Sequence, residues 1–503
     1  MSRRLVLAVL CVGQLMVILD GTIVNVALPA IQENLAMSAP ALAWVVNAYL
    51  IPFAGLLLLS GRLGDLFGRR RVFLAGLALF TLASLLCGLA PNAGTLLAFR
   101  FLQGVGGAIA SSVTLAMVVT LYSGPKERAK ALGVYSFVQS AGGTLGLLLG
   151  GALTQLVGWH WIFFVNVPIG LVVLLLARRE LGIEETTRAG RSLDVPGAVL
   201  VTAALMTAVY AIVESGDHGF GSSRTLGCGL GALVLLAAFL ARQARGTDPL
   251  LPPRMFRFRN VSGALGTHLL LISGLFGFQF LAVLYMQRVL GFDEIRTGLG
   301  VTPVSLLIGA MSLFVAPRLI ARIGARRMLA TALVLIAAGL ALLGQVSANG
   351  AYLTDVFPAT VPLGVGFGLA MPSLAGLAMS GATPGDAGLA SGMFNSVQQI
   401  GAALGLAVLS TLAASHTRTL RAEGTTEPTA LTEGYQLAFR VGAALVLTAL
   451  VVATAVLRDR PAAAEAVEAE AEAAEAEAEA AEAEAVEAEA PSRTEAETCT
   501  TRG

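Results

Sequence analysis

Charge is what this chain has least of. Of its 503 residues only 13% are Asp, Glu, Lys or Arg, against about a quarter in soluble proteins, while 56% are hydrophobic and the mean hydropathy is +0.77. A water-facing surface cannot be covered with so few charges, so a set of soluble domains is excluded. Lysine is nearly absent: Lys126 and Lys130 are the only two. Cysteine is sparse too, and Cys11, Cys87, Cys228 and Cys499 show no CxxC or metal-ligand spacing, which excludes a disulfide framework and a zinc site. Four histidines, no nucleophile constellation and no Walker loop leave little for an enzyme or an ATP-driven pump to use. The expected cofactor and metal content is therefore none.

What the chain does have is long apolar runs. A helix needs about 20 residues to cross ~30 Å of hydrocarbon. Fourteen stretches of that kind lie between residues 5 and 457, including a pair at 195–214 and 225–241. The expectation is an all-α polytopic membrane protein. Met1–Arg4 and the apolar run behind them could open a signal peptide, but the run continues past Asp20 without a small-residue cleavage site.

The net charge of +1 hides a division at residue 460. Residues 1–460 hold 31 basic and 19 acidic side chains, and residues 461–503 hold 2 and 13. With the N-terminus inside, inner segments carry 24 basic residues and outer loops five, an asymmetry that puts both termini in the cytoplasm. Those arginines then face anionic lipid, and no nucleic-acid partner is needed to explain them. Residues 461–490 alternate Ala and Glu almost strictly, with eleven glutamates and two valines, leaving no apolar stripe to dock. A solvated, disordered cytoplasmic tail is expected there, with a partner-binding arm as the alternative.

Several motifs stand in order along the chain. Gly61-Arg-Leu-Gly-Asp65-Leu-Phe-Gly68-Arg69-Arg70-Arg71 separates the second and third spans, and Arg62–Arg71 aligns with Arg318–Arg327, where Ala321 stands in place of Asp65. The first segment resembles the signature loop of the major facilitator superfamily, and two related halves are what such a fold is built from. Leu19–Pro29, Arg100–Gly107, Gly158–Gly170 and Gly388–Gly401 further resemble the fourteen-span drug:proton antiporter branch. The antiporter motif of the fifth span is Gly142-Gly-Thr-Leu-Gly146-Leu147-Leu-Leu-Gly150-Gly151, with Leu147 where the family has proline. Glycines 142, 146 and 150 fall nearly on one helical face, suited to close packing. Packing alone would explain them; in the family that interface is part of the gate.

The resemblance implies two six-helix bundles, residues 1–178 and 261–460, joined by two extra helices at 179–260 and followed by the 461–503 tail. It also implies that Gly61, Asp65, Gly68, Arg69 and Arg70 lock the cytoplasmic side. An ion within hydrocarbon costs at least ~2.5–3.5 kcal/mol on insertion scales, so intramembrane charges are functional candidates. Asp20 lies roughly 22 Å into a span entering from inside, and Arg100 roughly 8 Å into one entering from outside. These depths coincide in a ~30 Å core, so the two can pair if their helices touch. The family implies that they do and that they couple to protons; a static packing pair is the alternative. Asn25, Gln103, Glu214, His268, Gln279, Asn395 and Gln398 are candidates for a substrate cavity, and Arg440 for a satisfied or snorkelling residue.

The implied activity is proton-coupled export of a small hydrophobic or cationic drug or antibiotic across the inner membrane of a GC-rich actinomycete, by a monomer using the proton as coupling ion. Self-resistance exporters of the puromycin or methylenomycin type are similar. The alternatives are a symporter or facilitator importing a solute, which the loss of proline at 147 allows, and more remotely a membrane scaffold or enzyme.

Overall fold

The computed structural model describes residues 3–121, 125–181, 194–219, 221–246, 249–251, 253–379 and 387–458, apart from some side chains inside the helices. The acidic tail, Arg188 and Arg191 lie outside the described residues. Sixteen α-helices run through the described part, and no strand occurs in it. The first seven are α1 (Arg3–Asn34), α2 (Ala39–Phe67), α3 (Arg69–Gly88), α4 (Ala93–Leu121), α5 (Pro125–Val157), α6 (Trp161–Phe164) and α7 (Asn166–Glu180). A hairpin follows, α8 (Val195–His218) and α9 (Ser223–Arg245). Then come α10 (Arg259–Arg288), α11 (Glu294–Ala310), α12 (Ala316–Ile323), α13 (Ala325–Leu343), α14 (Phe357–Met379), α15 (Ala387–Ala422) and α16 (Glu427–Val456). Twelve described helical segments are long and apolar enough to cross a membrane, and the shorter apolar stretches Ala41–Leu57 and Leu145–Val157 lie in α2 and α5.

Local chemistry sets the helix starts. Ser38, Asp194, Ser222 and Asp293 each accept a hydrogen bond from the backbone N–H three residues on, satisfying a donor that the first turn leaves free. Prolines at the first positions of α2 and α8 lack the N–H that would otherwise need a partner. Between α11 and α12 the rod runs without a break through a π-helical turn, Met311–Val315, and a second such turn, Tyr352–Val356, leads into α14.

The packing repeats itself. In the first half α1 lies on α5, α3 on α4 and α2 on α4; in the second, α10 lies on α15, α13 on α14 and α11 on α14. The halves meet along two seams, α2 with α15 and α5 with α11, which are equivalent under the same exchange of halves. The aligned turns repeat in detail: Gly68 has φ 88° and ψ 129°, and Gly324 has φ 84° and ψ 153°. A side chain rarely adopts that backbone, which is why glycine is kept at both places although the acid is not. Residues 61–71 do differ from the expected polar loop. The helix continues to Phe67 and only Gly68 turns the chain. Gly61 faces open space, whereas a Cβ on Gly64 would run into Val113 of α4, so Gly64 is the close-approach glycine. The side chain of Asp65 lies outside the described residues.

Backbone proximity replaces hydrophobic driving force between helices in lipid. A Cβ on Gly106 would sit 2.5 Å from Phe80 N and 2.9 Å from Gly76 O, so α3 and α4 touch main chain to main chain. Gly143 of α5 faces no atom within 4 Å. Gly106→Val is expected to cost about 1–3 kcal/mol or more by overpacking, whereas Gly143→Ala should be neutral or raise stability by about 0.5–1 kcal/mol. Thermal unfolding of the two variants in one detergent measures the contrast, and equal melting temperatures would contradict the α3–α4 contact.

Candidate functional site

Five helical segments meet around one carboxylate. Asp20 of α1 and Arg100 of α4 are both fully buried, and Arg100 Nη1 donates to Asp20 Oδ2 at 2.6 Å. Asp20 Oδ1 accepts from Gln103 Nε2 at 2.7 Å and from Asn166 Nδ2 of α7 at 2.9 Å. The same Gln103 amide donates to Ser84 Oγ of α3 at 2.7 Å, and its Oε1 accepts from Arg100 Nη1 at 2.7 Å. Arg100 Nε is held by the Val45 carbonyl of α2 at 3.0 Å. The guanidinium lies 4.5 Å over the Tyr49 ring and 5.7 Å from that of Phe163, which adds cation–π attraction in a dry environment. Tyr49 in turn donates to Val17 O. One acid thus draws α1, α2, α3, α4 and the α6–α7 segment together.

The arrangement is a charged pair with most of its hydrogen bonds made, the condition under which buried ions are tolerated. Two atoms are left over: Arg100 Nη2 and Asn166 Oδ1 are buried and have no hydrogen-bond partner. An acid held this way can exchange its partner for a proton only if the helices carrying the donors move, because the donors come from different helices.

The depth estimate that paired Asp20 with Arg100 holds. It also reaches residues that the sequence reading did not assign. Ser84 lies fifteen residues into a helix from the same end as Asp20, roughly 22 Å deep, and Asn166 lies close to the level of Arg100. Asn166 stood within a quoted motif, and its depth was the available signal. Gln103, expected to face a substrate cavity, instead is fully buried in the Asp20 network.

The remaining candidates are dispersed. Asn25 is buried and donates back to Gly21 O and Thr22 O of its own helix. Glu214 stands 3.8 Å from Arg224 at the opposite end of the fold from Gly68. His268 of α10 is fully buried, stacked on Phe394 of α15 with ring centroids 3.9 Å apart. Gln279 and Gln398 are half-buried and Asn395 is exposed. Arg440 is satisfied as expected, donating to Gly344 O and Gln436 Oε1. Of the gating residues, Arg70 donates to Arg178 O at 2.7 Å, joining the start of α3 to the end of α7. In α5, Gly142, Gly146 and Gly150 lie against Leu15, Ile18, Leu19, Thr22 and Ile23 of α1, while Gly151 meets the main chain of Glu294 in α11. No group of three or more metal-ligating side chains occurs among the described residues.

Residues 10–406 match the Major Facilitator Superfamily. The chain belongs to that family. The puromycin resistance protein of Streptomyces alboniger is 39% identical over 91% of this chain and 92% of its own length. The cephamycin export protein of Amycolatopsis lactamdurans is 38% identical over 74% of this chain and 77% of its own. Among solved structures, an autoinhibited peptide transporter of the POT family superposes with a TM-score of 0.66 at 16% identity, covering 92% of this chain and 99% of that one, a likeness of fold alone. The paired seams and the repeated glycine turn lie within that all-helical fold.

Arg100→Leu would strand the Asp20 carboxylate and is expected to cost about 3–5 kcal/mol, whereas Asn166→Ala removes one of three donors and should cost about 1–3 kcal/mol. Thermal melting of purified variants should rank them in that order. Wild-type stability in both would contradict a buried ionised network.

Proposed function

We propose that this facilitator exports a hydrophobic or cationic antibiotic across the bacterial cytoplasmic membrane, driven by protons and working by alternating access. The observation that carries the reading is the buried Asp20–Arg100 pair, whose partners lie on separate helices. The names of the relatives, puromycin resistance and cephamycin export, support export and the substrate class. The proton is the coupling ion, no cofactor takes part, and a monomer suffices. Fourteen spans are assigned by adding α2 and α5, of 29 and 33 residues, to the twelve; each exceeds the ~20 residues a crossing needs. The basic residues near Gly68 and Gly324 then face the cytoplasm, as do both termini.

The mechanism follows from electrostatics. A cation beside an acid favours its ionised form, and burial without that cation favours the protonated form. When α1 and α4 are together, Arg100, Gln103 and Asn166 stabilise the Asp20 carboxylate. When movement of α1 against α4 within the first half separates them, a proton takes the place of Arg100. One charge moved through 100 mV supplies about 2.3 kcal/mol, available for uphill export together with the pH gradient. Hydrogen bonds and close approaches between the halves at the end away from Gly68 suit a conformation closed to the outside: Gln287 Nε2 donates to Val26 O, Arg288 to Gln32, and Ile295 N to Gln155 Oε1. Import by symport is the second reading. It is favoured by Leu147, buried at the α5–α11 seam against Gly298 where the antiporter motif has proline.

Inverted vesicles with an acidified lumen test the proposal, with puromycin as probe. Export by antiport predicts proton release from the lumen on adding drug, abolished in Asp20→Asn. No drug-linked proton flux in the wild type would sink it, and drug leaving the lumen together with protons would favour import.

A further inference from the structure

The α8–α9 hairpin is tied to the rest of the fold at the Gly68 end by one buried acid that the transport mechanism does not use. Asp194 caps α8 by accepting from Gly197 N at 2.9 Å. It also accepts from Arg242 Nε at 2.5 Å and Gln243 Nε2 at 2.7 Å, both at the end of α9. Burial pulls its proton affinity up, but the bonds from Arg242, Gln243 and Gly197 outweigh that and hold the carboxyl below the usual carboxylate range. A Cβ on Gly197 would collide with both the Asp194 carboxylate and the Gln243 amide, so glycine is what lets the two meet.

Gln243 passes the connection on. Its Oε1 accepts from Leu251 N at 3.0 Å, fixing the 249–251 connector that leads to α10. The connector is anchored on both sides. Leu250, 2% exposed, packs with Leu59 of α2 and Ala198 of α8. The next residue, Leu251, packs with Met255 in the turn before α10, with Val261 and Leu265 at the start of α10 and with Met393 of α15. Arg62, within the Gly61–Arg71 segment, donates to Pro249 O. Helix α8 itself lies on both α2 and α15, across their seam. A Cβ on Gly55 would run into Thr202, so α2 and α8 are in close contact there.

We propose that Asp194 and Gln243 are positioning residues of the gate: through the 249–251 strap they hold Arg62 and the inner end of α2 to the added hairpin, making the α2–α15 seam the stiffer of the two seams. The proposal rests on the reading of Gly61–Arg71 as a gate. With the connector pinned at the α2–α15 seam the halves rock about that side, and the α5–α11 seam, joined by Ile295 N on Gln155 Oε1, is the one that parts. The two added helices thereby act as a splint on the hinge side, and cutting the tie slows the conformational step without touching the drug site.

Three variants of the full chain test this. Gln243→Leu keeps the Asp194–Arg242 ion pair, and so the hairpin, but cuts the strap; Asp194→Asn weakens the whole tie. In Asp194→Asn/Gln243→Glu the donor and acceptor exchange places, and an acceptor for Leu251 N remains. Each single variant is expected to lower the maximal rate of puromycin-driven proton release about tenfold with KM changed by less than about twofold, because the loss falls on a conformational step. Spin labels at Phe67→Cys and Arg245→Cys, with the four native cysteines changed to alanine, should give one narrow distance in the parent and a broadened distribution in each single variant. The double variant should recover both rate and distribution. An unaltered rate or distribution in Gln243→Leu, or a double variant as slow as the singles, overturns the proposal. A parent without drug-coupled flux would overturn the exporter reading instead, and the distance distributions alone would then decide the tie.

Discussion

The first half of this molecule is organised around one buried carboxylate and the arginine paired with it. Asp20 is beyond the reach of water, so its charge must be answered by Arg100, and two buried ions must have their remaining hydrogen-bonding capacity met as well. That requirement recruits Gln103, Asn166, Ser84 and the Val45 carbonyl from four further turns of helix. Gly104, which a Cβ would drive into Tyr49 O and Pro52, lets α4 lie against α2, whose Val45 carbonyl holds Arg100, and Gly146, against Leu19 O, lets α5 lie against α1.

The second half repeats the architecture but not the charge. Gly324 reproduces the turn of Gly68, and α10, α13, α14 and α15 reproduce the contacts of α1, α3, α4 and α5, yet no buried ion pair occurs there among the described residues. The polar interior of α10 is instead His268, whose ring nitrogens have no hydrogen-bond partner and whose face rests on Phe394. The repeat keeps the helix packing and, among the described residues, leaves the buried ion pair to the first half. That asymmetry matches the loss of the acid at Ala321.

Much of this was legible in the sequence, for physical reasons that differ between features. Helices that cross lipid must be long and apolar, so α8 and α9 appeared at 195–214 and 225–241 without any motif, and the insertion depth of a charge counts at 1.5 Å per residue, so Asp20 and Arg100 could be paired on arithmetic. Neutral amides give no such warning. Gln103 and Asn166 look alike whether they face a substrate or a carboxylate, and only three-dimensional placement separates the two. The Gly61–Arg71 segment was read as a loop because it is polar, but polarity at the bilayer surface is compatible with helix, and the chain stays helical until a residue able to take φ 88° lets it turn. The strap was invisible because its anchors, Leu250 and Leu251, are ordinary leucines in a linker.

The two seams deserve to be weighed against each other, since their inequality decides how such a molecule can move. At the α5–α11 seam Gly151 lies against the main chain of Glu294, Gly298 against the Leu147 carbonyl, and Gln155 Oε1 accepts from Ile295 N. Glycine at these places lets the two backbones approach closely, with few interlocking side chains between them. At the α2–α15 seam a third helix, α8, covers the junction, and the connector between halves is pinned into it by Gln243 and Leu250. Parting that seam would expose Leu250 and pull on the bond from Leu251 N to Gln243 Oε1. Leu147 sits on the α5–α11 seam, so the residue standing in place of proline bears on that contact rather than on the surroundings of Asp20.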